Sequence, residues 1–328
     1  MGVDVRAIVT LPPSAPFAED VARHPLCAGI RLNTVMPIAG PPRAVLERLS
    51  ALGVPLWVDL KGRQLRVVGA AIPPFTEVRV SHRVQVNVPA LAFFNDGEEQ
   101  ARIVAVDGDR LILEDGPRRL VGPGESLNIL DPSLAIHGTL TDTDRAYLDA
   151  MRDLGLRNVM LSFVEREEDA IEVEEALPDA NLVLKIESTR GIDFARRLGG
   201  KATPKLPGRT DAEDEAIYSL SASAASPPPH RHRLMAARGD LYVEVLRPHR
   251  ILGALRDILA ADPDAIVASR LFNSLSRGTV PDCADIGDAA HLMTLGYRTF
   301  MLGDDVCLAR DSVLAALNLL GAVAAELG

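Results

Sequence analysis

Little in this sequence invites a nucleic acid or a membrane. Aromatic residues make up 4% of 328, with Trp57 the single tryptophan, too few for a platform that stacks unpaired bases. Positive charge is in deficit. Lys and Arg number 35 against 45 Asp and Glu, and the net charge of −10 disfavours broad contact with a phosphate backbone or an anionic bilayer. A local basic pocket for a small anion stays compatible with that balance. No run of apolar residues reaches the ~18 that a spanning helix needs. The three cysteines, Cys27, Cys283 and Cys307, form no C-x-x-C pair, which excludes a zinc ribbon and a disulfide framework. Free thiols in a reducing compartment are expected. The opening MGVDVRAIVTLPPSAP lacks a basic region and a long apolar stretch, so a signal peptide is not expected and a cytoplasmic location is.

Short apolar runs are abundant. Eight stand out: residues 5–11, 28–33, 55–61, 158–163, 181–187, 233–241, 265–272 and 299–304. Their continuity suits strands buried on both faces of a parallel sheet. Helical patterns separate them. Pro41 and Pro42 open 41–52, Val45, Leu49 and Leu52 follow at helical spacing, and Gly53 fits just past its end. Thr141 to Asp144 has capping-box spacing, with Asp rather than Glu in the fourth place, ahead of a stripe of Tyr147, Met151 and Leu154. Residues 248–261 and 310–327 repeat the helical pattern. Strands alternating with helices predict an α/β fold, a (β/α)8 TIM barrel. A doubly wound open sheet is the alternative, weakened by the lack of a G-x-G-x-x-G after the first strand.

Two segments break the alternation. Residues 68–138 read as all-β, with turn signals at Asp107-Gly108 and Asp115-Gly116. They are expected to form a β-rich lid domain inserted in a barrel built from 1–67 and 139–328, hinged near Val67–Val68 and Ile136–Gly138. Residues 199–232, rich in Gly, Pro, Ser and Ala, are expected to be a flexible insertion within the barrel. The run 165–169 reads as the solvated, acidic start of a helix.

Charged residues inside apolar strands are costly unless paired or metal-bound. Here they gather where the strands end, the face on which barrel active sites lie. Arg31 and Asn33 close the second run, Asp59 and Lys61 the third with Arg66 beyond, Lys185 and Glu187 the fifth, and Arg238, Gly239 and Asp240 the sixth, while Ser269 lies in the seventh. Glu187 and Asp240 offer two hard oxygen ligands suited to Mg2+ or Mn2+. Lys185 beside them could neutralise an oxyanion or a phosphoryl oxygen. Arg31 and Arg66 offer planar forks for phosphate or carboxylate, and Gly239 lets a backbone N–H come close to a substrate. A ring of structural ion pairs without chemistry is the alternative.

These residues carry a resemblance. The sequence resembles the pyruvate kinases over nearly its whole length outside 199–232. The family's R-x-N-F-S-H stands here as Arg31-Leu32-Asn33-Thr34-Val35-Met36, and its D-T-K-G-P-E-I-R as Asp59-Leu60-Lys61-Gly62-Arg63-Gln64-Leu65-Arg66. K-I-E-N stands as Lys185-Ile186-Glu187-Ser188, and A-R-G-D-L-G-V-E as Ala237-Arg238-Gly239-Asp240-Leu241-Tyr242-Val243-Glu244. A-T-Q stands as Ala268-Ser269-Arg270, and M-L-S-G-E as Met301-Leu302-Gly303-Asp304-Asp305.

The resemblance implies a metal-dependent phosphotransferase acting on phosphoenolpyruvate or pyruvate and a nucleotide, ADP or ATP. It implies Glu187 and Asp240 as divalent-metal ligands, Lys185 as the stabiliser of the transferring group and the enolate oxygen, and Arg31 as a phosphate contact. Ser269 falls where a threonine assists enolate protonation, and 68–138 match the family's lid. Asn33 and Asp59 match two ligands of its K+ site, but Val35 and Leu60 replace the hydroxyl ligands, so dependence on K+ is not expected. Lys61 and Arg63 are expected to balance the substrate phosphate instead. Met36 replaces a histidine near the nucleotide, and Arg270 a glutamine. The family's C-terminal effector domain is expected to be missing. These departures keep two alternatives open: an aldolase, decarboxylase or lyase working through a pyruvate enolate on another 2-oxo acid, and a catalytically retired binding protein. The oligomeric state is open too, a homo-oligomer included.

Overall fold

The computed structural model describes residues 2–200, 232–245 and 247–328. The expectation of a flexible insertion at 199–232 falls almost wholly outside the described residues.

Eight parallel strands close into a barrel. In chain order they are β1 (Arg6–Thr10), β2 (Cys27–Asn33) and β3 (Leu56–Leu60), then, after seven strands of another sheet system, β11 (Asn158–Leu161), β12 (Asn181–Ile186), β13 (Arg233–Ala237), β14 (Ile266–Ala268) and β15 (Thr299–Leu302). Around the barrel the order is β1-β15-β14-β13-β12-β11-β3-β2. The expected TIM barrel is therefore present. Alternation decides which side chains face its axis. Ile8, Trp57, Met160, Val183, Met235, Ile266 and Met301 form an apolar cluster of their own. It is distinct from the larger core of outward-facing strand residues and helices. Two residues on from this inner layer come Thr10, Asp59, Ser162 and Lys185. The barrel interior thus changes from apolar to ionic toward the C-terminal ends of its strands.

Among the described residues ten α-helices accompany the strands: α1 (Ala18–Ala22), α2 (Pro42–Ser50), α3 (Asp142–Leu154), α4 (Glu167–Ala176), α5 (Thr189–Leu198), α6 (Arg238–Glu244), α7 (Ile251–Ala261), α8 (Cys283–Leu295), α9 (Asp304–Cys307) and α10 (Arg310–Glu326). The capping box forms at α3. Thr141 Oγ1 accepts from the Asp144 amide at 3.1 Å, and Asp144 Oδ2 accepts from the Thr141 amide at 3.1 Å. The shorter acid has a second use, since its Oδ1 accepts the Lys61 amide at 2.9 Å and pins the exit of β3.

The seven intervening strands are β4 (Glu77–Arg79), β5 (Arg83–Gln85), β6 (Ala90–Phe94), β7 (Glu99–Asp107), β8 (Arg110–Leu113), β9 (Leu127–Ile129) and β10 (Ala135–His137). They make a five-stranded sheet, β4-β8-β7-β6-β9, and a β10–β5 pair. Their ladders are antiparallel, and Phe94, Ile103, Leu111 and Val121 belong to a core separate from that of the barrel.

Three expectations need correction. The run 233–241 is strand only to Ala237, because Arg238, Gly239 and Asp240 open α6 and only Leu241 continues the apolar burial. The run 265–272 is strand only over Ile266–Ala268, because Ser269, Arg270 and Phe272 adopt positive φ and turn the chain. Within 165–169, Asp169 is fully buried rather than solvated and accepts from Thr139 Oγ1 at 3.1 Å and the Glu165 amide at 3.0 Å.

Candidate active site

The ionic end of the barrel is built around Asp59. Arg31, on the neighbouring strand, donates from Nε to Asp59 Oδ2 at 2.7 Å and also pairs with it through Nη2. Lys185 Nζ lies 3.3 Å from both Asp59 oxygens, and Lys61 Nζ lies 3.5 Å from Oδ2. Ser162 Oγ donates to Asp59 Oδ1 at 3.3 Å and accepts from Lys185 Nζ at 2.7 Å. Burial alone would raise the Asp59 carboxyl, but Arg31, Lys185 and Lys61 overcome it and hold the group well below the usual carboxylate range. Burial likewise opposes the Arg31 cation, and Asp59 and Asp304 outweigh it.

Lys61 ends differently. Burial is the largest influence; Asp59 pulls the other way, and the nearby cations Lys185, Arg66 and Arg31 add to the burial, so its ammonium is pushed down to about 7. The backbone explains how it arrives there. Gly62 has φ +50°, and a Cβ on it would lie 2.7 Å from the Ser162 carbonyl. Lys61 falls two residues beyond Asp59 and so shares its inward face, and the tight turn at Gly62 breaks the alternation only after it. Arg63 instead reaches Glu165 at 3.7 Å and Asp169 at 3.6 Å, away from the Asp59 cluster. The structure thus keeps Lys61 as a candidate anion contact and removes Arg63.

Glu187 follows Lys185 at the end of β12. Its Oε1 is 3.3 Å from Lys185 Nζ and its Oε2 accepts the Phe163 amide at 2.9 Å. Asp240, in the first turn of α6, accepts from Gln64 Nε2 at 2.9 Å and from Asn128 Nδ2 at 3.4 Å. Asn128, on β9, also donates to Glu244 Oε1 at 3.1 Å, so the β-rich segment rests on α6. Burial pushes Glu244 up to about 8, with Asn128 opposing and Asp240 and Glu165 reinforcing the shift. Arg66 donates from Nε to Gln64 Oε1 at 3.1 Å and lies within the field of Asp240, Asp59 and Glu187. Among the described residues no group of three or more His, Cys, Asp or Glu side chains is arranged to hold a metal. Glu187 and Asp240 are the two sequence-selected carboxylates of this region, and both act on the Arg66 guanidinium.

The remaining sequence-selected residues divide. Asn33 Nδ2 donates to Asp304 Oδ2 at 2.9 Å, beside Arg31. Arg238 does not face this cluster with free donors. Its Nε and Nη2 donate to the Ser269 carbonyl at 3.1 and 2.9 Å, and Asp288 takes Nη1 and Nη2 at 2.8 Å each. It clamps the positive-φ turn that carries Ser269. A Cβ on Gly239 would meet Ser269 at an ordinary 3.7 Å, so packing does not demand glycine there. Thr10, Ser162, Asp304, Gln64 and Asn128 join the site without having been singled out. Thr10, Ser162 and Asp304 all fall at the ends of the apolar runs, and the strand-end rule reaches them once uncharged hydroxyls and turn acids are counted.

Comparison with known proteins finds relatives named pyruvate kinase. The chain is 31% identical to a pyruvate kinase of Agrobacterium vitis over 235 residues, 69% of this chain and 42% of that protein. It is 27% identical to a second pyruvate kinase of the same organism over 219 residues, 60% of this chain and 40% of that protein. A pyruvate kinase of Thermoplasma acidophilum is 24% identical over 291 residues, 81% of this chain and 47% of that protein. The chain thus spans less than half the length of the curated relatives it matches. No protein-family model matches it.

Proposed function

Taking the chain as a relative of the pyruvate kinases, we propose that it is a metal-dependent phosphotransferase working between phosphoenolpyruvate or pyruvate and a nucleoside di- or triphosphate. One observation carries this reading. Lys185 is buried at the barrel mouth with its Nζ shared among Asp59, Ser162 and Glu187, and Arg31, Lys61 and Arg66 are gathered around the same acids. Cations gathered this densely at a barrel mouth can receive an anion beside their protein carboxylates, and a phosphoryl group between in-line oxygens is such an anion.

Arg31, Lys61 and Arg66 bind the substrate's anionic groups. Lys185 directs its Nζ at the oxygen where enolate charge develops. Ser269 lies beside Gly239 and is the candidate to pass a proton to the enolate carbon. Glu187 and Asp240 would hold Mg2+ or Mn2+, which when bound neutralises charge on the substrate oxygens. Residues 68–138 act as a lid that excludes water, its Asn128 resting on Asp240 and Glu244. Among the described residues no helix is long and apolar enough to cross a membrane; a cytoplasmic enzyme is part of the same proposal.

A second reading has its own support. Asp304 adds a carboxylate against Arg31 at 3.1 Å, which favours a less charged 2-oxo acid and enolate chemistry without phosphoryl transfer. Turnover of phosphoenolpyruvate with ADP in Mg2+, run beside oxaloacetate and 4-hydroxy-2-oxo acids, separates the two. The kinase reading expects product from the first pair and a fall of about 10²–10³ in kcat for Lys185→Met. Turnover of a 2-oxo acid alone selects the second reading.

A further inference from the structure

Arg31 has two carboxylate partners of unlike character. Asp59 is fully buried and held from several sides, so it cannot leave. Asp304 comes from the other direction, at the start of the four-residue helix α9, with its side chain 41% exposed. Its Oδ1 accepts from Arg31 Nη1 at 3.1 Å and its Oδ2 from Asn33 Nδ2 at 2.9 Å. One carboxylate bridging a guanidinium N–H and an amide N–H occupies the place an anionic substrate group would take. The same Nη1 also donates to Thr10 Oγ1 at 3.0 Å. Arg31 Nε and Nη2 are committed to Asp59. A substrate anion therefore reaches Arg31 at the corner Asp304 now fills. The motif this stretch resembles has glycine at this place, so the carboxylate is an addition to the pattern.

We propose that Asp304 is a specificity-determining residue, an internal carboxylate that competes for the Arg31–Asn33 corner and biases the site against dianionic phosphoryl groups in favour of singly charged carboxylates. The proposal rests on the reading that Arg31 receives the substrate's anion. The physics is charge counting at short range. A dianion must displace Asp304 and then sit near its charge, and that repulsion is about twice that felt by a monoanion. A substrate such as pyruvate or another 2-oxo acid, whose carboxylate carries a single charge, is penalised less. The exposure of Asp304 and the shortness of its helix allow it to swing out.

The test is calorimetric titration of the full chain with phosphoenolpyruvate and, separately, with pyruvate, in Mg2+ buffer. Wild type is compared with Asp304→Asn, which keeps the shape and loses the charge, and with Asp304→Ala, which also loses the hydrogen bonds. Both variants are expected to bind phosphoenolpyruvate about tenfold more tightly, with a steeper loss of affinity as salt is added, and to gain less than about threefold for pyruvate. An equal gain for the two ligands, or no gain for phosphoenolpyruvate, overturns the role given to Asp304. If wild type binds phosphoenolpyruvate and Lys185→Met weakens that binding while the Asp304 variants do not change it, the inference fails and the proposed function stands. Absence of binding in every variant overturns both.

Discussion

The Arg31 guanidinium and the Asp59 carboxylate meet across adjacent strands, Nε to Oδ2 at 2.7 Å, with side-chain exposures of 7% and 0%. A buried pair of this kind adds little compared with an apolar pair, yet breaking it strands a charge. Asp59→Ala leaves Arg31, Lys185 and Lys61 facing one another with their common counter-charge gone. The expected cost is about 3–5 kcal/mol, read as a lower urea midpoint at unchanged slope. The pH dependence has a definite sign. The Asp59 carboxyl is depressed in the fold below its ordinary 3.8. The unfolded chain therefore binds its proton first, and the stability Asp59 contributes is complete above about pH 4 and is lost as pH falls further, toward the depressed folded value. Urea melts of wild type across pH 2–7 should show that acid loss, and Asp59→Asn should flatten it.

Lys61 carries a linkage of the same sign, displaced to higher pH. Its ammonium is pushed down to about 7 in the fold from 10.5. Between those values the unfolded chain holds the proton and the native one releases it. Stability from this group therefore rises as pH climbs from about 7 toward 10.5 and is flat below. Substrate binding moves the other way, because a neutral Lys61 gives up its attraction for an anion. KM for phosphoenolpyruvate should rise across pH 7–9 in wild type and vary less in Lys61→Met, whose KM is higher at pH 6. A KM profile identical in the two proteins would remove Lys61 from the anion site.

The barrel and most of this cluster were legible because alternation writes inward charges at fixed places in apolar runs, as Asp59 and Lys61 show. What escaped had physical reasons. Arg238 and Asp240 extend an apolar run that continues to Leu241, so periodicity could not show that the strand stops at Ala237 and a helix starts. Ser162 and Thr10 carry no formal charge and leave no signal in a search for buried ions. Arg63 was read with Lys61 because the two are neighbours in sequence, but the positive φ of Gly62 between them sends their side chains to different acids.

Gly62 itself is a testable point. A Cβ there would lie 2.7 Å from the Ser162 carbonyl and 2.8 Å from Leu161 Cδ1, at a φ that side chains rarely adopt. Gly62→Ala is expected to cost about 1–3 kcal/mol for the strained conformation, with the contact adding to it. Because the same turn seats Lys61 and abuts the segment that carries Ser162, kcat should fall as well, by more than the loss of folded protein explains. Thermal melts and activity per folded molecule measure the two effects separately. A Gly62→Ala variant as stable and as active as wild type would mean that the turn is soft.

The last expectation concerns monovalent cations. Of the four side chains that the resemblance implies for K+, Val35 and Leu60 bring no oxygen. The two that remain are engaged elsewhere. Asn33 Oδ1 accepts from the Val35 amide at 3.3 Å while its Nδ2 is donated to Asp304. The Asp59 oxygens face Arg31, Lys185, Lys61 and Ser162. A cation placed beside Asp59 would meet those fixed positive charges at short range, and no side-chain hydroxyl of residues 35 or 60 would offset the repulsion. In the proposed function, the protein's own Lys61 takes the place of a bound cation beside the substrate phosphate. Turnover of phosphoenolpyruvate with ADP should differ by less than about twofold, under 0.5 kcal/mol in barrier, between K+ and a bulky organic cation at matched ionic strength. Lys61→Met should lower activity in the organic salt and recover part of it in K+, because removing the ammonium opens room and demand for a cation. A strong K+ requirement in wild type would show that backbone carbonyls complete an ion site at this corner and that Lys61 does not replace it.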